Sequence, residues 1–325
     1  MSRLIDGFDA LVCDLDGVVI TGRLAVPHAV ASLNALPVPV VYATNNASRT
    51  PTDVSHMLQE HGVRVHEDRV LTSSLAAARE LAAALPPGSP VLAIGGPGVA
   101  ACLEAVGLRP CSPDDSVDVV AVVQGYGRDV TAADLGAAAH AIQTGARWVA
   151  TNTDQTLPTE RGPAPGNGSL VAAVRGAVDV DPLVIGKPNP PIYALAAAAV
   201  GANADRTLAV GDRLNTDIAG ARAAGMAAAL VLTGVHGPED AAGAPAVSRP
   251  THVIEDLRAL TQDYPEPVTE DEWFVRADAR ARCGDGLEVE GTGIDAVRAA
   301  LDAVWAAVDA GRITHEEGRS RMANR

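Results

Sequence analysis

The chain is poor in aromatic side chains: its 325 residues include 3 Trp, 4 Tyr and 2 Phe. Its core must therefore be built from Ala, Val and Leu, small residues that favour close helix–sheet contact over large pockets. No cluster of Lys and Arg is present, and the net charge is −15. That balance excludes a nucleic-acid binder, which would need a basic patch to neutralise phosphates. An acidic protein that handles an anionic phosphate must instead build a local positive site from a cation, a lysine and backbone N–H groups. Cys13, Cys102, Cys111 and Cys283 show no paired spacing, which fits a reducing compartment and a role as small core hydrophobes. The first residues lack the apolar stretch of a signal peptide, and no apolar run reaches membrane-spanning length. A cytoplasmic protein without a membrane partner is expected.

What is present is a regular alternation of short apolar runs with helical patterns. Residues 10–13 form a continuous apolar run, the pattern of a strand buried on both faces, and residues 38–43 repeat it. Helices are predicted over 27–36, 52–61 and 75–85; Pro51 precedes the second and Gly62 stops it. A second αβ segment follows, with a long loop over 151–169 rich in Thr, Asn, Pro and Gly and a helix over 170–178. Loops of that length inside a compact domain are usually functional. The first pattern resumes at 183–185 and runs to about 260. After the linker signal Pro265-Glu266-Pro267, the last 60 residues carry 21 charged residues. Helices are expected there over 294–310 and 314–322. The stripe Val297, Leu301, Val304 and Val308 should pack on the core or on another subunit, which allows a homo-oligomer.

Four polar motifs sit where apolar runs end: Asp14-Leu15-Asp16-Gly17-Val18, Thr44-Asn45-Asn46, Gly186-Lys187-Pro188, and Gly211-Asp212 with Asp217. In a strand, Asp14 and Asp16 would point to the same side, and two such carboxylates repel unless a cation lies between them. Thr44 and Asn45 offer a hydroxyl and an amide suited to phosphate oxygens. Lys187 adds a point charge for the same anion. Asp212 supplies a further Mg²⁺ ligand, and Asp217 can orient that ligand shell. Open α/β sheets bind ligands at the carboxyl ends of their strands, where all four motifs fall. Any one of them could be an ordinary loop polar or helix cap. All four in this order point to a Mg²⁺ and phosphate site.

This constellation resembles the haloacid dehalogenase-like phosphatase superfamily over residues 7 to about 260. Thr44-Asn45-Asn46, Thr151-Asn152-Thr153-Asp154 and Pro165-Gly166-Asn167-Gly168-Ser169-Leu170 narrow the resemblance to the subfamily with a large αβ cap between the second and third motifs. That subfamily includes NagD-type nucleotide phosphatases and 4-nitrophenyl, pyridoxal and phosphoglycolate phosphatases. The Ala-rich composition and charged tail are most similar to its actinobacterial glycerol 3-phosphate phosphatases. The resemblance implies an α/β fold: a Rossmann-like parallel sheet core, an inserted αβ cap and a small C-terminal extension. The expected segments are a first core segment (1–75), the cap (76–182), a second core segment (183–262) and the extension (268–325). It implies a Mg²⁺-dependent phosphomonoesterase in which Asp14 is the nucleophile and Asp16 the acid and then the base. Thr44, Asn45, Asn46 and Lys187 would bind phosphate, and Asp14, Asp16 (through its carbonyl) and Asp212 would hold the metal, supported by Asp217. Asn152 and Asp154 are the candidate specificity residues. The expected substrate is a small phosphorylated metabolite, glycerol 3-phosphate or 2-phosphoglycolate; pyridoxal phosphate or a nucleoside monophosphate is the alternative. A phosphotransferase on the same core, or a non-catalytic sensor or scaffold using the tail, are rivals of other classes.

Two further patterns carry less. Gly96-Pro97-Gly98-Val99-Ala100-Ala101 fits a dinucleotide loop, but no acidic residue is clearly placed at a strand end about 20 positions on, so a strand-to-helix turn is the simpler reading. His56, His61 and His66 recur every five residues, which scatters them around a helix.

Overall fold

A computed structural model describes residues 3–115, 117–159 and 162–325. The chain divides into two compact units, one of Met1–Val40 with Val200–Arg325 and one of Val41–Ala199.

In the first unit, Ala10–Cys13, Thr207–Gly211, Ala227–Val231 and His252–Ile254 lie side by side, all parallel. Cys13 stands opposite Val210, and Gly211 opposite Leu230. Nearly all their residues are buried. A parallel sheet covered on both faces selects such unbroken apolar runs over alternating ones. Asp14 and Asp212 each follow the last residue of a strand, so neighbouring strands deliver them to the same edge.

The C-terminal extension belongs to this unit and is more ordered than its composition suggests. Val268–Glu270, Trp273–Arg276, Ala279–Cys283 and Leu287–Glu290 form an antiparallel sheet in sequence order. The sequence pattern predicts only helices here. The dense charge hides a period of two: Ala279, Ala281 and Cys283 are buried, while Arg280 and Arg282 pair across the strands with Glu290 and Glu288. The helix Gly293–Asp309 packs on this sheet, and His315–Ala323 packs on the helix Pro238–Ala242. Val297, Leu301 and Val304 are buried as the stripe requires. Each such side chain is worth about 1.5–3 kcal/mol when fully buried. Trp305 Nε1 donates to the Ala241 carbonyl (2.8 Å), Arg298 Nε to the Val253 carbonyl (2.9 Å), and Arg249 pairs with Asp309 (2.7 Å).

His252 reports on this junction. Its ring lies edge-on to Phe8 and Tyr264, with centroids at 5.9 and 4.8 Å. Burial first, then the charges of Arg276 and Arg298, push its pKa from 6.5 down to about 4. The folded state therefore holds this ring neutral where the unfolded chain would protonate it. The resulting stability is complete above pH 6.5 and is lost as pH falls toward 4. The full effect is about 3 kcal/mol. Urea titrations at pH 7 and pH 4.5 should show a larger acid loss for wild type than for His252→Asn; equal losses would mean that His252 is not held neutral.

In the second unit, residues 42–44, at the end of the strand Val40–Thr44, pair in parallel with Val70–Thr72, Thr44 opposite Thr72. A separate parallel sheet runs in the order Leu183–Val184, Arg147–Ala150, Ala121–Gln124, Pro90–Ile94, Arg109–Cys111. The helices Ala132–Gln143 and Asn167–Arg175 contribute to a core with Ile94, Val122, Ile142, Trp148, Val171 and Val174. Two expectations change here. Leu183–Val184, expected to open the second core segment, pairs instead with Val149 and Ala150 as the edge of this sheet. The stretch read as one loop over 151–169 contains an antiparallel hairpin, Thr156–Thr159 with Gly162–Pro165, and its helix already begins at Asn167. A two-stranded ribbon has only edges, so it tolerates the prolines that suggested a loop. No helix among the described residues is long and apolar enough to cross a membrane.

Candidate active site

The predicted residues divide between the units. Asp14, Asp16, Asp212 and Asp217 lie in the first; Thr44, Asn45, Asn46, Asn152, Asp154 and Lys187 lie in the second.

In the first unit the structure brings Asp14, Asp212 and Asp217 together, one carboxylate oxygen of each within 4.8 Å of the others. Asp212 and Asp217 are buried and Asp14 half-buried. This is the only group of three metal-ligating side chains among the described residues. Asp217 comes from a single π-helical turn, Leu214–Ile218, after the strand that ends at Gly211; its Oδ2 accepts from Arg213 N–H (3.1 Å). Asp212 Oδ2 accepts from Val235 N–H (2.8 Å). Three carboxylates this close repel strongly, and hard oxygen donors in such a set fit a small divalent cation.

Asp16 is not part of the trio. The strand ends at Cys13 and the chain turns at once: the Leu15 carbonyl accepts from the N–H groups of Val18, Val19 and Ile20. Asp16 is exposed as a result. Gly17, at the turn, has φ +82°, and a Cβ there would collide with the Asp212 carboxylate. Thr233 Oγ1 fastens the turn by donating to the Gly17 carbonyl (2.7 Å).

In the second unit Thr44 is buried, and its Oγ1 accepts from Asn46 N–H (3.1 Å), leaving the hydroxyl hydrogen to donate. The side chains of Asn45 and Asn46 are engaged internally. Asn46 Oδ1 accepts from Ser48 N–H and Oγ (2.9 and 2.8 Å). Asn45 Oδ1 accepts from Lys187 N–H (2.8 Å), while its Nδ2 donates to the Lys187 carbonyl (3.0 Å) and to Asp154 (3.2 Å). What Asn45 retains for an anion is its backbone N–H. Lys187 is buried, its Nζ donating to the Ala43 carbonyl (3.2 Å). Asn152, expected in a substrate-reading loop, is buried and donates to the Asn45 carbonyl (2.8 Å).

His236 is a neighbour that no sequence motif singles out. Its Nδ1 accepts from Leu214 N–H (2.9 Å) and its backbone N–H donates to the Asp212 carbonyl (3.1 Å), tying the two acidic segments. Burial lowers its pKa, consistent with an acceptor nitrogen. A lone histidine after Gly234 in a turn gives no periodic signal. Gly96 caps the helix Pro97–Ala105, and Gly98 N–H donates to the Ser48 carbonyl (3.1 Å), so that segment is a packed strand-to-helix turn.

Residues 11–109 match the family model of haloacid dehalogenase-like hydrolases, and residues 184–260 match that of HAD-hydrolase-like proteins. The D-glycerol 3-phosphate phosphatase of Mycobacterium tuberculosis is 47% identical over 264 residues, 81% of this chain and 74% of that one. The 5′-nucleotidase YutF of Bacillus subtilis is 36% identical over 257 residues, 77% of this chain and 96% of that one. A crystal structure of glycerol phosphate phosphatase from M. tuberculosis in complex with magnesium superposes with a TM-score of 0.84 at 42% identity, covering 94% of this chain and 93% of that one.

Proposed function

We propose that this chain, which belongs to the haloacid dehalogenase-like hydrolases and is a phosphoric monoester hydrolase, releases phosphate from glycerol 3-phosphate or a similarly small ester through an aspartyl-phosphate on Asp14. The observation that carries this reading is the trio Asp14, Asp212 and Asp217, with Asp16 two residues beyond Asp14 but outside it. Asp14 belongs to the cluster, and the exposed Asp16 is the carboxylate we assign to the proton.

Asp14 Oδ attacks phosphorus as the ester oxygen departs, and Asp16 gives that oxygen its proton. Asp16 then takes a proton from water, whose oxygen attacks the phosphorus of the aspartyl-phosphate and frees Asp14. Thr44 Oγ1, the N–H of Asn45 and the Lys187 ammonium hold the transferring oxygens, where charge shifts in the transition state. Asp14 and Asp212, with the Asp16 carbonyl, would hold Mg²⁺, and Asp217 would stand close enough to orient or join the ligands. When bound, Mg²⁺ offsets the repulsion between the Asp14 carboxylate and the phosphate dianion.

The substrate assignment draws on the 47% identity to the glycerol 3-phosphate phosphatase. The relative named as a 5′-nucleotidase keeps a nucleoside monophosphate as the second reading. Phosphate release should be measured on glycerol 3-phosphate, 2-phosphoglycolate, pyridoxal phosphate and a nucleoside monophosphate, with Mg²⁺ and with EDTA. The highest kcat/KM is expected for glycerol 3-phosphate, with activity lost in EDTA. A preference for the nucleotide would overturn the substrate assignment, and full activity after exhaustive chelation would overturn the metal assignment.

A further inference from the structure

We propose that Asn45 is a positioning residue for Lys187, and that Asn152 supports it. The inference rests on the reading of Lys187 as the cation that holds the transferring phosphoryl oxygens.

The segment 43–45 grips Lys187 at both ends. Asn45 Oδ1 accepts the Lys187 N–H at 2.8 Å, and Asn45 Nδ2 returns a bond to the Lys187 carbonyl at 3.0 Å. The side-chain amide thus pairs with both the N–H and the C=O of one residue, as a neighbouring strand would, fixing the two peptide groups that flank the Lys187 Cα. The far end of the side chain is anchored by Nζ to the Ala43 carbonyl at 3.2 Å. The separation of 142 positions between Asn45 and Lys187 makes this a tertiary clamp, not a local cap. Gly186 permits the approach: a Cβ there would lie 2.7 Å from Asn45 Oδ1 and collide with the Thr151 carbonyl.

Asn45 is itself held. Its carbonyl accepts from Asn152 Nδ2 and from Ser73 Oγ, each at 2.8 Å. The Asn152 carbonyl in turn accepts from Asn167 Nδ2 (2.7 Å), which also donates to the Gln124 carbonyl (3.2 Å). Gln124 Nε2, Thr151 Oγ1 and Asn167 Oδ1 are buried here without a hydrogen-bond partner among the described residues. Apolar side chains would fill this space without that cost. A polar cluster kept despite it fits a need to hold the Asn45 loop in one place. The fold of the second unit thereby reaches the phosphate-holding groups through hydrogen bonds, and Asn152 acts on Asn45 and not on the substrate.

The test is a double-mutant cycle on the full chain with Mg²⁺ and 4-nitrophenyl phosphate, with melting temperatures recorded. Lys187→Ala should lower kcat by roughly 10²–10³, the worth of a transition-state donor. Asn45→Ala should lower kcat by ~10–10², the cost of a misplaced group, with little change in KM. In the Lys187→Ala background, Asn45→Ala should cost less than ~3-fold, because its effect passes through a lysine no longer there. Equal losses in both backgrounds would overturn the positioning role and leave the role of Lys187 intact. A harmless Lys187→Ala would overturn both. Should Asn45→Ala fail to fold, Asn152→Ala serves in its place. It should lower kcat by a common factor for glycerol 3-phosphate and 4-nitrophenyl phosphate, and the loss should vanish in the Lys187→Ala background. A change confined to one substrate would show that Asn152 reads the substrate instead.

Discussion

Asp14→Asn abolishes turnover, with an expected loss on the order of 10⁵–10⁶, the scale seen when a covalent nucleophile is removed. Asn keeps the volume of Asp but has no anionic oxygen to attack phosphorus. The fold should survive. Asp14 shares a cluster with Asp212 and Asp217, with oxygens within 4.8 Å, so removing one negative charge relieves repulsion in the metal-free protein. Its backbone N–H still donates to the Val210 carbonyl (2.9 Å). Circular dichroism and the melting temperature should therefore match wild type, with the affinity for Mg²⁺ reduced by the lost ligand. Activity within tenfold of wild type would end the mechanism.

Asp16→Asn is expected to lower kcat by roughly 10²–10⁴, the usual worth of a positioned general acid. The loss in kcat/KM, which reports the first step, should depend on the leaving group. Glycerol departs as a basic alkoxide and needs the proton; 4-nitrophenolate departs without it, so the first step should suffer much less for that ester. Because Asp16 is exposed and its carboxylate lies outside the trio, the Mg²⁺ concentration for half-maximal activity should stay within a few-fold of wild type. Equal losses in kcat/KM, which reports the first step, for good and poor leaving groups would show that Asp16 is not the acid. A large rise in the Mg²⁺ requirement would move its carboxylate into the metal shell.

The features of this site that follow one another along the chain were the legible ones. Continuous apolar runs ending in Asp14 and Asp212 announce parallel strands and a polar edge, and the structure pairs them as neighbours. The strand ends at Cys13, one residue before Asp14, and Gly17 is the sharpest mark of that end in the sequence. Asn45, Asn46 and Asn152 have the right chemistry for phosphate or substrate, yet their side chains are engaged within the protein, those of Asn45 and Asn152 largely by groups far along the chain. The Asn45–Lys187 pair spans 142 positions, and no local pattern encodes such a meeting. In the extension the helix stripe was visible because its period of 3.6 uses Val and Leu. The strands before it alternate Ala with Arg and Leu or Val with Glu, a pattern that charge density made easy to pass over.

The central claim is that phosphate passes through Asp14. Asp16→Asn should capture that state, because it can still be phosphorylated by 4-nitrophenyl phosphate but activates water poorly. The variant should be mixed with this ester and Mg²⁺, quenched in acid within the first turnover, and its peptides weighed. One phosphoryl group on the peptide that carries Asp14, absent when Asp14→Asn is added, is the predicted result. Release of 4-nitrophenolate with no phosphorylated peptide, or with the phosphoryl group on any other residue, would contradict it.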